Sequence, residues 1–213
     1  MNTTRRAHSA PTFIAFEGLD GSGKTTISRR VAEVSGSRYM TTPSSTLRKL
    51  RPAIIDDLKD SQEARQLFYL STVFAASRAI ERALTSGESI VIDRYFLSTQ
   101  AYAEFRGSNL RVDTLERRLT PATLTVYVDA PLAIRRKRVQ TRGASPADSE
   151  TLTREADARL RELHIQRREL SVVGNFVVID SDTHSIDECV ERVLEALDTT
   201  LTQRASSHIC KQA

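Results

Sequence analysis

Two cysteines in 213 residues, Cys189 and Cys210, stand too far apart for a CxxC pair and are too few for a disulfide framework. That usage fits a reducing, intracellular setting and excludes the small stapled secreted folds. The four histidines fall at no metal-binding spacing. No apolar run approaches the ~18 residues a membrane span needs, so no membrane partner is expected. The polar stretch from Met1 to Ala10 carries Arg5 and Arg6 but lacks the apolar centre of a secretory signal. Residues 1–11 therefore read as a disordered tail. Repeats, low-complexity segments and linkers are also missing, which leaves one domain over about 12–204 and a short tail at 205–213. A core of that size needs neither disulfide nor metal to hold it. The expected location is the cytoplasm.

Excess charge is scarce, and all of it is local. Lysine and arginine total 31 against 27 carboxylates. Between Pro131 and Leu170, nine arginines and Lys137 meet only six acidic residues, which accounts for the whole net charge of +4. Such a segment suits polyphosphate or nucleic acid, arginine being the better bidentate partner. It has no interleaved aromatics for stacking on single strands, so nucleic acid is the weaker reading. For most of these arginines, a solvated helix face with i,i+4 pairs such as Glu155–Arg159 is the plainer one.

What is present is concentrated at Phe13 to Thr26. An apolar strand enters a glycine-rich turn, and Gly18-x4-Gly23-Lys24-Thr25 satisfies the phosphate-loop pattern. Glycines let successive backbone N–H groups turn inward as an anion nest at a helix start, where the helix dipole adds positive charge. Gly18, Asp20, Gly21, Ser22, Gly23, Lys24, Thr25 and Thr26 would cradle a nucleotide triphosphate. Lys24 reaches the β- and γ-phosphates, and the Thr25 hydroxyl is placed for Mg²⁺.

Helical periodicity predicts helices over Thr25–Val34, Thr46–Leu58, Ser61–Thr85, Ser98–Phe105, Val112–Leu119, Pro131–Thr141, Thr151–Leu170 and Ser185–Leu201. Strands are expected at Thr12–Phe16, Ser37–Thr42, Ser89–Asp93, Leu124–Asp129 and Asn175–Asp180, and Arg142–Ser149 has loop chemistry. Alternation of this kind means an α/β fold with a parallel sheet covered on both faces. Asp93 ends its strand where such folds place a second Mg²⁺-associated acid. The next residue is Arg94 rather than the second carboxylate a hydrolytic ATPase would use. That suits holding a second phosphate.

Four separated stretches resemble the thymidylate kinase family of phosphate-loop nucleoside monophosphate kinases. Phe16-Glu17-Gly18-Leu19-Asp20-Gly21-Ser22-Gly23-Lys24-Thr25-Thr26 is similar to that family's phosphate loop, and Asp93-Arg94-Tyr95-Phe96-Leu97-Ser98-Thr99-Gln100-Ala101-Tyr102 to its DRY-x-x-S-x-x-AY element. Phe74-Ala75-Ala76-Ser77-Arg78 resembles its aromatic–arginine pair, and Val128-Asp129-Ala130-Pro131 leads to Arg138 and Arg142-Gly143 at the family's spacing. The resemblance covers about residues 13–143 and the final strand and helix. It implies a five-stranded phosphate-loop kinase fold with a short lid near 142–155, a homodimer, and transfer from MgATP to a nucleoside monophosphate, dTMP first, in dTTP biosynthesis. By the same resemblance Arg138 would serve ATP and Asp93 would help order Mg²⁺. Asp20 would contact the acceptor's 3′-hydroxyl and Arg94 its phosphate, with Arg51 a further phosphate candidate. Phe74 would stack on the pyrimidine, Arg78 would bond its exocyclic oxygen, Thr99 would adjoin the base, and Tyr102 would favour deoxyribose. The phosphate loop has no arginine, so the lid would supply one, from Arg142 or Arg154. Two departures, Thr41-Thr42-Pro43-Ser44-Ser45-Thr46 and the lid itself, keep open a different small acceptor. The remaining alternative is a nucleotide-dependent nucleic-acid or regulatory protein.

Overall fold

Burial on both sides dictates the strand sequences, which are almost wholly apolar. Along β1 (Phe13–Glu17), β3 (Ile90–Asp93) and β4 (Leu124–Asp129) nearly every residue is buried. The computed structural model describes residues 10–144 and 146–209, and the side chains of 146, 147 and 207–209 fall outside that description, as does most of the expected N-terminal tail. Its sheet has the order β2-β3-β1-β4-β5, all parallel, with β2 at Arg38–Thr41 and β5 at Asn175–Asp180. The register sets Phe16 beside Asp93 on one side and Val126 on the other. Thus the ends of β1 and β3 deliver the phosphate loop and Asp93 to the same edge of the sheet.

Alternation along β1 sorts the core into two layers. Phe13 and Ala15 join Ile90, Ile92, Leu70, Val73 and Ile80 on the face covered by α3 (Gln62–Thr85) and α4 (Phe96–Phe105). Ile14 and Phe16 join Val31, Val126, Val193 and Leu197 on the face covered by α1 (Lys24–Ser35) and α8 (Ile186–Ile209). The helix α2 (Ser45–Asp57) buries no residue at all, although Leu50, Ile54 and Ile55 line one side of it.

Several boundaries differ from the periodic reading. The segment expected as a helix at 112–119 is a 3-10 turn over Asp113–Arg118. The stretch 142–149 is not all loop, because α5 (Leu132–Arg142) is followed by a short α6 (Pro146–Thr151). The charged helix is α7 (Arg154–Ile165), capped by the Thr153 hydroxyl, and it stops well before Leu170; a 3-10 turn at Ser171–Val173 then leads into β5. The last helix runs on through Ile209, past the Leu201 where its apolar pattern fades.

Candidate active site

The turn after β1 owes its shape to steric exclusion. Gly18 has φ +136°, and a Cβ there would meet the Val128 carbonyl oxygen at 2.4 Å; Gly21 has φ +80°, with the Arg135 carbonyl oxygen at 2.7 Å from any Cβ. Both positions combine a backbone region that side chains avoid with no room for one. Gly23, also left-handed, starts α1 with no side chain capping its first turn. Those amides stay open to an anion. Beside them a cavity of about 490 Å³ is lined by Gly23, Lys24, Thr25, Arg138, Arg142, Ser181 and His184, among others.

Lys24 is buried, and its ammonium donates to the Leu19 carbonyl at 3.0 Å. Burial and the positive charge of Arg94 bring its pKa down to about 8, against the pull of Asp20, Asp93 and Glu17. Thr25 Oγ1 donates to Asp93 Oδ2 at 2.5 Å, while Asp93 Oδ1 is buried with no hydrogen-bond partner among the described residues. A hydroxyl and a carboxylate with a spare lone pair form the oxygen donor set that Mg²⁺ prefers, so these residues fit that ion.

Across the loop, Arg94 is the only non-glycine residue with a positive φ among those described, at +69°. Its amide donates to the Phe16 carbonyl at 2.9 Å and its own carbonyl accepts from Thr42 Oγ1 at 2.7 Å. The guanidinium pairs with Asp20 Oδ1 at 2.5 Å, donates to Ser98 Oγ at 3.0 Å and lies 5.1 Å from the Tyr102 ring centre. Tyr102 in turn donates to Asp20 Oδ2 at 2.8 Å. Burial alone would raise the Asp20 pKa, but Arg94 and Lys24 outweigh it and hold that carboxylate well below its usual range. Burial opposes the Arg94 charge too, and Asp20, Tyr102, Asp93 and Glu17 together keep it firmly protonated. Two fixed cations, Lys24 and Arg94, thus act on one carboxylate. Such a cleft can hold two phosphates and stabilise charge passing between them.

Arg138 donates to Ser181 Oγ at 2.9 Å and Ser181 O at 2.7 Å, and Ser181 Oγ donates to the Ser22 carbonyl at 2.7 Å. Arg142 is half-exposed on the cavity wall and pairs with the buried Asp148 of α6 at 2.6 Å. Thr151 Oγ1, from the end of α6, lies 3.4 Å from Asp20 Oδ2. Arg154 is exposed at the start of α7 and does not line the cavity, so of the two arginines expected to serve a lid only Arg142 borders the cavity beside the loop. Thr99 turns its hydroxyl back to the Tyr95 carbonyl at 3.0 Å. Phe74 packs partly buried against the core, whereas Arg78 is exposed and pairs with Glu81 at 2.8 Å. Arg51 is exposed on α2 and makes no hydrogen bond or ion pair among the described residues.

Reading for motifs missed several residues that shape the cleft. Glu17, buried at the end of β1, bonds the segment after β3. Arg135, expected on a solvated face, has a fully buried side chain; it pairs with Asp157 and donates to the Asp20 carbonyl at 3.1 Å. Ser181 was equally silent. Only Glu17 gave a signal, a carboxylate closing a buried apolar strand, which needs donors. The basic segment also proves largely neutralised: Arg161 pairs with Asp129 and Asp157, and Arg167 with Glu104 and Asp113.

A family model described as thymidylate kinase matches residues 16–193. A probable thymidylate kinase of Thermococcus gammatolerans is 32% identical over 180 residues, covering 74% of this chain and 83% of that protein. One from Archaeoglobus fulgidus is 27% identical, over 92% of this chain and 99% of the relative. Among solved structures, thymidylate kinase from Candida albicans aligns with a TM-score of 0.68 at 20% identity, covering 91% of this chain and 93% of that one. Thymidylate kinase from Ehrlichia chaffeensis aligns at 0.66 and 21%, covering 88% and 99%. At those identities the two structures speak for the fold.

Proposed function

We infer, since the chain belongs to the thymidylate kinase family, that it transfers the γ-phosphoryl group of ATP to dTMP. The observation that carries this reading beyond a generic phosphate loop is the Arg94–Asp20–Tyr102 cluster facing Lys24. A nucleotidase or motor ATPase needs one phosphate site and a positioned water. Here a second cation stands where an acceptor phosphate would arrive.

The acceptor oxygen is already anionic, so the reaction needs alignment and charge stabilisation rather than a strong base. The loop from Gly18 to Thr26 binds the triphosphate through its amides, and Lys24 exchanges its bond to the Leu19 carbonyl for the β- and γ-oxygens. Arg94 takes the acceptor phosphate. Asp20, kept ionised, accepts the acceptor's 3′-hydroxyl on the face next to Tyr102. Thr25 and Asp93 would hold Mg²⁺, which when bound neutralises charge on the β- and γ-phosphates. Arg138 borders the ATP cavity, with its guanidinium fixed by Ser181. Residues about 142–155 act as the lid, and Arg142 leaves Asp148 for the transferring group on closure, which excludes water. Phe74 and Arg78 meet the pyrimidine once Arg78 releases Glu81, and Thr99 borders the base. Arg51 and Arg154 have the least support, since both are exposed and neither lines the cavity beside the phosphate loop. We further propose a homodimer formed through α2 and α3, whose Leu50 and Leu67 are half exposed.

ADP release from MgATP tests the reading, with dTMP, dUMP, dCMP, dAMP, UMP, thymidine or no acceptor added. Acceleration by dTMP above all others is the expected result. Equal rates with and without acceptor would overturn it.

A further inference from the structure

Arg94 has a conformation that its own segment does not explain. A left-handed, non-glycine residue is strained and persists only where the surroundings over-determine it. The helix that follows, α4, has Tyr95 as its capping position, with φ −140° and ψ −127° and a side chain that makes no capping bond. Its first amides should be orphans. They are satisfied from another strand: Glu17 Oε1 accepts from the Tyr95 amide at 3.0 Å and Glu17 Oε2 from the Ser98 amide at 3.2 Å. Ser98 Oγ also donates to Glu17 Oε2 in a short bond, and Ser98 Oγ itself accepts from the Arg94 guanidinium at 3.0 Å. One carboxylate therefore does in trans what both halves of a capping box do within a helix.

We propose that Glu17 is a positioning residue for phosphoryl transfer: it fixes the start of α4 and, through Ser98, the direction of the Arg94 guanidinium. The inference rests on the reading of Arg94 as the acceptor-phosphate residue. Three donors converge on Glu17, so it works as an acceptor-only group. Burial raises its pKa, while the Ser98 hydroxyl, Arg94 and the two amides draw it back. A glutamine of the same shape must aim an NH₂ at one of those donors, which loosens the relay without emptying the space. Glu17 is itself shut away from solvent and touches neither the cavity nor the loop's phosphate-facing amides. Its effect should fall chiefly on the acceptor side, where its hydrogen bonds lie, since it acts on Lys24 only as the last of three carboxylates favouring that charge.

The test compares the parent protein with Glu17→Gln, Arg94→Ala and the double variant, each measured for melting temperature, MgATP binding and steady-state turnover with dTMP. Glu17→Gln is expected to stay folded, to bind MgATP within about twofold of the parent, and to lose roughly ten- to a hundredfold in kcat/KM for dTMP. Arg94→Ala loses at least as much, and the double variant is no worse than Arg94→Ala by more than about twofold, because residues in one network are not additive. Losses that multiply in the double variant would overturn the proposal, as would an equal weakening of MgATP binding by Glu17→Gln. Should Arg94→Ala turn over dTMP like the parent, the reading of Arg94 itself fails and Glu17 has nothing to position. Glu17 fails alone if Arg94→Ala is impaired and Glu17→Gln is not. If Glu17→Gln does not fold, Ser98→Ala serves the same comparison, since it cuts the link to Arg94 and leaves both amides paired.

Discussion

At the scale of single residues, the cleft works by burying charges in opposed sets. Asp20, Asp93 and Glu17 favour the charged forms of Lys24 and Arg94, and those two cations hold the Asp20 carboxylate ionised in return. Arg94→Ala should lower turnover by roughly a hundredfold, the scale of losing one charge-stabilising donor in a dry site. Steady-state assays would show it in the acceptor's KM and in kcat while MgATP binding holds. A second prediction concerns His164, whose ring is fully buried against Tyr102 and Tyr127, with Nδ1 2.7 Å from the Leu160 carbonyl and Nε2 unpartnered among the described residues. Burial, with Arg94, Lys24 and Arg167 nearby, brings its pKa to about 3 from an ordinary 6.5. The unfolded chain thus binds more protons between those values, and stability falls as pH drops through that window by up to about 1.4 kcal/mol per unit. His164→Asn keeps a donor for the Leu160 carbonyl and should flatten the slope, read from urea midpoints at about pH 7.5 and about pH 5. The motif residues were legible because backbone chemistry restricts them to glycine, lysine and threonine. Ser181 and Arg135 were not, because what makes them matter is a contact across 159 or 115 positions of chain, and Glu17 showed only as a carboxylate ending a buried strand, its partners lying 78 and 81 positions away.

Elements set which of those long contacts are made. Strands were readable as apolar runs bounded by turns, and parallel pairing followed from helices between them. The segment 142–170 was misread for a physical reason: helical periodicity cannot report a short break, and in α6 the polar Asp148 pairs with Arg142 while Thr151 lies beside Asp20. Nor does a sequence rich in arginine say which guanidinium goes inside. In α5 it is Arg135, clamped between Asp157 of α7 and the Asp20 carbonyl. Asp157→Ala should therefore cost about 3–5 kcal/mol by leaving a buried charge unpaired, whereas Arg135→Met with Asp157→Leu should recover most of that loss. Chemical denaturation of the three proteins checks the order. If the single variant proves as stable as the parent, α7 does not brace the phosphate loop through this pair.

For the whole molecule, both the fold and its family are those implied by four short motifs in the right order, and the ends of β1 and β3 bring Lys24, Asp93 and Arg94 to one edge of the sheet. What the motifs left open was the surface. On α2 and α3, Leu50 and Leu67 are 53% and 51% exposed. Light scattering should give a dimer mass, and Leu67→Glu should shift it toward the monomer; a parent that is monomeric at all concentrations would remove the proposed interface.

The central claim is that two phosphate sites face one another, so that the γ-phosphoryl group passes between nucleotides rather than to water. Chromatographic separation of the nucleotides after incubation with MgATP and dTMP tests it most directly. The account predicts one dTDP for each ADP formed, with both lost together by roughly a hundredfold or more in Lys24→Met. ADP accumulating without dTDP, or with an equal amount of free phosphate, would contradict it.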